Sequence, residues 1–278
     1  MTPGYRAVVD HGLDRTAELA SQAFADYWVP LTLSGASVLA MARQDSVDLA
    51  ASRIMLDQDR PVGVALIARR GWTSRLAAMA IIPEARGQGV GGACVLHLLA
   101  EARARGERAM TLEVIEQNTG AAGLYQRCGF RIVRRLVGYA GSPPIPTIAA
   151  SAPALEEADI REVAGALIAH GPPDLPWQLS GETLAQAGPP GVAYRGDAVW
   201  IALTDPAAPT VTIRALVTAP HARRRGAASA LVRAVMARHP GRQWRVPAIW
   251  PEALGALWEG VGLERERLTQ WQMTTDLG

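Results

Sequence analysis

The sequence contains no lysine: all 28 of its basic residues are arginine. Asparagine occurs once, at Asn118, and phenylalanine only at Phe24 and Phe130. With abundant Ala, Gly, Pro and Arg, these gaps read as the compositional drift of a GC-rich genome, so Arg clusters carry less functional weight than usual. Cysteine is nearly absent. Cys94 and Cys128 form neither a Cys-x-x-Cys pair nor a disulfide framework, which suits a reducing cytosol. The histidines (His11, His97, His170, His221, His239) are scattered without metal-ligand spacing, so no metal site is expected. Charge of one sign is lacking too: a net charge of +2 argues against a dedicated nucleic-acid or membrane-surface protein. No run approaches the roughly 18 apolar residues of a spanning helix. No N-terminal stretch joins a basic flank, an apolar core and a small-residue cleavage site. The expectation is a soluble, cytoplasmic protein with neither membrane nor nucleic acid as partner.

What is present is apolar bulk and length. Nearly half of the 278 residues are apolar, enough for large cores, and the length suggests two domains. The most informative stretch is Ile81 to Gly92. An apolar run from Leu76 to Ile82 reads as a strand, stopped by Pro83. Val95, Leu98, Leu99 and Ala102 then recur on one helical face. Between them lies Arg86-Gly87-Gln88-Gly89-Val90-Gly91-Gly92. Glycines there let backbone N–H groups at a helix N-terminus converge on an anion, and the helix dipole favours negative charge at that place. The spacing matches neither Gly-x-x-x-x-Gly-Lys-Ser/Thr nor Gly-x-Gly-x-x-Gly.

Further along the first half, Tyr5–Val9 reads as a strand, and Asp14–Phe24 and Ser34–Ala42 as helices. Arg53–Leu56 and Val62–Arg69 form a hairpin. A helix runs to about Arg105. Met110–Ile115 is a strand, Ala121–Arg127 a helix, and Phe130–Tyr139 a last apolar stretch. Arg86-x-x-Gly89-x-Gly91 after a strand and a Pro resembles the acyl-CoA loop of the GNAT N-acetyltransferases. Leu112-Glu113-Val114, Asn118, Leu124-Tyr125 and Gly129-Phe130 are similar to the second part of that family's signature, at the expected distance. The resemblance implies a mixed, mostly antiparallel central sheet flanked by helices, acetyl-CoA as cofactor with CoA as product, and a loop contact from Ile81 through Gly92 and Asn118. The spacing Glu113, Asn118, Tyr125 most resembles the ribosomal-protein N-terminal alanine acetyltransferases. That likeness implies Glu113 as general base through water and Tyr125 as the acid that protonates the leaving thiolate. In the family the strand before the loop, about Ile81, polarises the thioester carbonyl.

Each residue also has a plainer reading. Thr111, Glu113 and Ile115 share one side of their strand, so Glu113 is either the base or a strand carboxylate. Tyr125 is either the acid or a packing aromatic. Asn118 is a turn or cap residue, which leaves a cofactor contact open. Cys128 is better read as a core thiol than as a nucleophile, because direct transfer needs no covalent intermediate. The family's acceptor enters between the first two helices and the hairpin, which makes Phe24, Asp26, Tyr27, Trp28 and Trp72 the groove candidates, with core packing an equal alternative for the aromatics. A ribosomal-protein substrate does not follow, because the match does not reach this region.

The second half repeats the first. After a Gly/Pro-rich connection (141–154) come a helix Leu155–His170, a hairpin Gly191–Arg195 and Ala198–Leu203, a strand Val211–Val217, and a helix Ala227–Arg238. Aligned on Pro83 and Pro220, Arg86 falls on Arg223, Gly89 on Gly226 and Gly91 on Ala228. Arg223, Arg224, Arg225, Gly226, Ala227 and Ala228 therefore form a possible second CoA loop. Trp258 stands in the place of Tyr125 and Pro251 in that of Asn118, so this copy reads as non-catalytic. The organisation expected is α/β, two tandem GNAT folds: residues 1–140 catalytic, 155–278 degenerate, in a monomer whose halves pack on each other. The function expected is transfer of an acetyl group to a primary amine, on a small molecule or a peptide N-terminus. The alternative is a non-catalytic acyl-CoA-binding or regulatory protein.

Overall fold

The computed structural model describes residues 3–29, 31–143 and 154–278. The chain divides into two compact units, Met1–Val133 with Trp271–Gly278, and Arg134–Gln270.

The first unit opens with β1 (Gly4–Ala7), α1 (Val8–His11), α2 (Leu13–Ala23) and α3 (Gly35–Gln44). Ser34 starts α3 through a capping box with Ser37, one residue before the apolar pattern begins. The meander β2 (Val47–Asp57), β3 (Arg60–Arg70) and β4 (Thr73–Ile81) follows, antiparallel throughout. Strand β2 begins six residues earlier than the apolar pattern suggests. Asp48 Oδ1 accepts from the N–H groups of Ala50 and Ala51, and the pairing shifts register there, which breaks the alternation that marks a strand in sequence. Next come α4 (Val90–Ala104), β5 (Ala109–Ile115), α5 (Thr119–Arg127) and β6 (Arg131–Gly141). Strand β5 lies parallel to β4, and the pairing covers only Thr73–Leu76 against Ala109–Leu112. Both strands continue beyond it, so they part at their C-terminal ends.

The second unit holds β7 (Glu156–Ala158), α6 (Ile160–His170), α7 (Gly181–Leu184), β8 (Val192–Gly196), β9 (Val199–Leu203), β10 (Thr210–Thr218), α8 (Ala227–Arg238), β11 (Gln243–Pro251), α9 (Ala256–Gly260) and most of β12 (Glu264–Asp276). The helix expected from Leu155 starts only at Ile160. Asp159 caps it, and the acidic residues before the cap pair with β8 as a strand. Strand β10 is antiparallel to β9 and parallel to β11, and the parallel pairing again stops early, at Thr212 and Arg245. Two clusters fill this unit. One surrounds Trp244, Trp250 and Trp258, and the other packs α6 against Ala202, Ala215 and Val217.

The unit boundaries differ from those read in the sequence. Leu136, Val137, Tyr139, Ala140 and Gly141 pair with β11, and the second unit begins at Arg134. The C-terminal stretch counts with the first: Leu277 N–H donates to Arg108 O at 2.9 Å, and Thr274 Oγ1 donates to Met110 O at 3.3 Å. A strand that crosses from one unit to the other leaves no mark in hydrophobic periodicity. Most of the connection expected over 141–154, namely 144–153, lies outside the described residues.

Candidate active site

The glycine loop leaves β4 through one 3-10 turn, Pro83–Ala85, and enters α4 at Gly89. Gly87 and Gly89 have φ of +76° and +80°, where any other L residue is strained. A Cβ at Gly87, Gly89 or Gly92 would meet nothing within 4 Å. The N–H groups of Gly87, Gln88 and Gly89 make no hydrogen bond among the described residues, and those of the first helical turn have no intrahelical partner. This cradle of open donors at a helix N-terminus fits a diphosphate such as that of acetyl-CoA.

Arg86 does not reach toward that space. Its Nε donates to Ile81 O at 2.9 Å and its Nη2 to Ala23 O at 3.0 Å, while Asp26 takes a bidentate pair at 2.6 and 2.8 Å. Arg86 thus fastens the loop to the end of α2, and Asp26 is a tether rather than a groove wall. The guanidinium holds the Asp26 carboxyl below the usual carboxylate range. Gln88 Nε2 donates to Glu84 O at 3.0 Å. Ile82 does not join the site either: its N–H is used by Val62 O at 3.0 Å, on the β3 side. Adjacent residues of a strand point their N–H groups to opposite sides, so Ile81 N–H faces the opening between β4 and β5. Gly91 lies where α4, β4 and α5 meet: a Cβ there would come within 3.3 Å of both Leu124 and Ile81.

On the far side of the opening, Asn118 caps α5 by accepting from Ala121 N–H at 3.1 Å, and its side chain lies near enough to the Tyr27 phenol to offset part of the rise that burial imposes on it. The cap reading of Asn118 is found. Tyr125 is buried, edge-on to Phe130 at 5.9 Å. Burial pushes its phenol far above the ordinary range, and Tyr27 adds to the effect, so it stays a neutral donor. Phe24, Tyr27 and Trp28 stack edge-to-face in sequence, at 5.2 and 5.4 Å, with Trp28 about half exposed. The fold does not bring Trp72 to this group. It sits at the opposite end of β4, under the Arg108 guanidinium at 4.7 Å.

Glu113 lies on β5 with its side chain 3% exposed and accepts from Arg75 Nε at 2.6 Å through Oε2. Its other oxygen, Oε1, is buried and has no protein partner among the described residues. Arg75 was not singled out from the sequence, although an arginine inside an otherwise apolar strand is a signal for a buried partner. Cys94 is fully buried, its thiol pushed up to about 12 by burial, which makes it a core residue. Among the described residues no cluster of His, Cys, Asp and Glu has the geometry to hold a metal.

The second unit repeats the loop geometry. Gly226 has φ +77°, and Arg224 is held at +60° in the place of Gly87. Arg223 Nε donates to Thr218 O at 3.1 Å, and its Nη2 donates to His170 O, as Arg86 does to Ile81 O and Ala23 O. No hydroxyl stands where Tyr125 would: Trp258 is there, 1% exposed, packed against Trp250 at 5.1 Å.

Comparison with known proteins agrees with this geometry. Residues 20–130 match the model of the acetyltransferase (GNAT) family. The peptidyl-lysine N-acetyltransferase YjaB of Salmonella typhimurium is 39% identical over 79 residues, covering 28% of this chain and 48% of that one. The chain thus spans about half the length of that relative. Over 99% of its length the chain shares the fold of a GCN5-related N-acetyltransferase from Sphaerobacter thermophilus, at 18% identity, 96% coverage of that chain and a TM-score of 0.71. It likewise matches a tandem GNAT protein from the clavulanic acid biosynthesis pathway, at 16% identity, 99% coverage of both chains and a TM-score of 0.64.

Proposed function

We propose that the protein is an acetyl-CoA-dependent N-acetyltransferase in which a primary amine attacks directly within a ternary complex in the first unit. The observation that carries this reading is the meeting of Tyr27, Asn118 and Tyr125 next to the parted ends of β4 and β5, with the open glycine loop at the same end. Acetyl-CoA supplies the acetyl group as a thioester. The N–H groups from Gly87 into α4 hold its diphosphate, and Ile81 N–H is the donor aimed at the thioester carbonyl. Glu113 Oε1, the buried oxygen without a protein partner, takes the proton of the amine directly or through water. Tyr125, kept neutral by burial, gives a proton or a hydrogen bond to the departing thiolate. Phe24, Tyr27 and Trp28 form the acceptor wall.

The acceptor is a primary amine on a small molecule or a peptide. The name of the Salmonella relative makes a lysine side chain in a peptide the first candidate to try, beside a free peptide N-terminus. The likeness to ribosomal-protein acetyltransferases rests on three spaced residues and carries no substrate. The test is release of free thiol from acetyl-CoA in the presence of a panel of lysine peptides, N-terminal peptides and small amines. Amine-dependent release with a matching mass gain on the acceptor is expected. Tight acetyl-CoA binding with no transfer to any amine would instead make the protein a binding module.

A further inference from the structure

Arg75 and Glu113 meet at the vertex of the opening between β4 and β5. The parallel pairing ends at Leu76 and Leu112, so Arg75 stands just before its end on β4 and Glu113 just past it on β5. A β-bulge follows at once on β4. Leu76 pairs with Ile67 and Ala78 with Leu66, which leaves Ala77 as the extra residue. Burial changes at the same place: Ser74, Arg75 and Leu76 are buried, whereas Ala77, Ala78 and Met79 are partly exposed.

Three observations bear on what the pair does. The first is its geometry. Arg75 Nε donates to Glu113 Oε2 at 2.6 Å, with side chains 6% and 3% exposed. A buried carboxylate needs a counter-charge, and a planar guanidinium also fixes its orientation. The second is what the pair leaves open. Two parallel bonds would be the stronger arrangement, yet Glu113 Oε1 is buried without a protein partner among the described residues. The third is the internal repeat. The bulge recurs in the second unit at Arg214, and β10 and β11 also part, after Thr212 and Arg245. With Pro220 set on Pro83 and Pro251 on Asn118, Thr212 and Val246 stand in the places of Arg75 and Glu113. The ion pair is therefore not what opens the strands, and the unit with Trp258 in place of the tyrosine has no such pair at these positions. A buried pair also adds little stability over apolar residues of like volume, so folding alone does not account for it.

We propose that Arg75 is the positioning residue of the acetyl transfer, an inference that rests on the reading of Glu113 as the base. Arg75 holds Glu113 by Oε2 at the vertex of the opening and so keeps Oε1 for the proton of the amine. That proton passes from the amine nitrogen to Oε1, directly or through water, as the nitrogen bonds to the acetyl carbon. The sulfur leaves with the electron pair of the thioester bond and takes a proton from Tyr125, and solvent resets both groups. Arg75 itself exchanges no proton.

The test follows single-turnover transfer from acetyl-CoA to the amine of the panel that gives the fastest thiol release. Arg75→Leu and Arg75→Lys are compared with wild type, each alone and together with Glu113→Gln. Every variant is assayed at a temperature where thermal melts show it folded, and calorimetry reads acetyl-CoA affinity. Arg75→Leu combined with Glu113→Gln contains neither charge, so no partner is stranded in it. Arg75→Leu alone is expected to lower the rate by roughly 10²-fold with acetyl-CoA affinity unchanged, because a misplaced catalytic group costs about that much. Arg75→Lys, which keeps the charge and loses the planar donor, should fall between it and wild type. In the Glu113→Gln background either change at Arg75 should alter the rate by less than about two-fold, because no base is left to hold. A loss of the same size in both backgrounds, or a wild-type rate in Arg75→Leu, would overturn the proposal and leave the transfer reading standing. A wild type that transfers to no amine of the panel would overturn that reading, and the positioning role with it.

Discussion

Arg75 and Glu113 form a buried pair on neighbouring parallel strands, Nε to Oε2 at 2.6 Å, with side chains only 6% and 3% exposed. Removing one partner strands the other charge in a dry site. Arg75→Leu should therefore cost about 3–5 kcal/mol of stability, read by urea unfolding. A neutral result would mean that water reaches the carboxylate and that the pair is incidental.

Glu113→Gln keeps the shape of the side chain and removes the proton acceptor. The Arg75 charge loses its counter-charge, so the variant should be less stable than wild type; at temperatures where melts show it folded, kcat/KM falls by roughly 10²–10⁴-fold and the acidic limb of the rate profile flattens. A profile the same as wild type would leave Glu113 with a structural role only.

On the proposed acid role, Tyr125→Phe should lower kcat by roughly 10²-fold and leave acetyl-CoA affinity unchanged, because such a contact matters mainly as the thiolate forms. Comparing single-turnover rates with the calorimetric Kd separates the two quantities. An unchanged rate would remove the acid role.

Several phenols and both thiols titrate late in this fold. Burial pushes Tyr5 and Cys94 to about 12 and raises Tyr27, Tyr125 and Tyr139. In the unfolded chain these groups ionise at about 8.5 for Cys and 10 for Tyr. A folded value above the unfolded one contributes stability that is complete below the unfolded value and lost as pH rises toward the folded one. Melting temperature should therefore hold to about pH 8.5 and then fall progressively toward pH 12. Melts across that range test this, and Tyr125→Phe should make the fall shallower.

The two loops have the same path with different residues. Gly89→Ala meets no atom, so its cost is the left-handed backbone alone, about 1–2 kcal/mol. Arg224→Gly relieves the same strain in the second unit, against an entropy cost of about 0.5–1 kcal/mol, and should be neutral to mildly stabilising. Thermal unfolding of both variants checks the contrast, and equal destabilisation would show that the loops are not equivalent.

The glycine loop, the strands around it and the tandem repeat were legible because each writes a local pattern: a stop at Pro83, a 3.6-residue period after Gly89, and the same spacing again after Pro220. Roles decided by tertiary contact were not legible. Arg86 is the right residue type for a phosphate, yet Asp26, 60 positions away, claims its guanidinium. Trp72 looked like a groove aromatic, and only strand direction reveals that it stands at the wrong end. The Arg75 partner of Glu113 and the exchange of the C-terminal strand both depend on residues far apart in the chain.

The central claim is that acetyl transfer takes place in the first unit. It is tested most directly by the rate of thiol release from acetyl-CoA with an amine-bearing peptide, in the wild type and in Gly89→Asp, where a carboxylate intrudes at the diphosphate cradle. The account predicts that amine-dependent release in the variant falls to the level without acceptor. A Gly89→Asp protein that turns over at the wild-type rate would contradict it and move the chemistry out of the first unit.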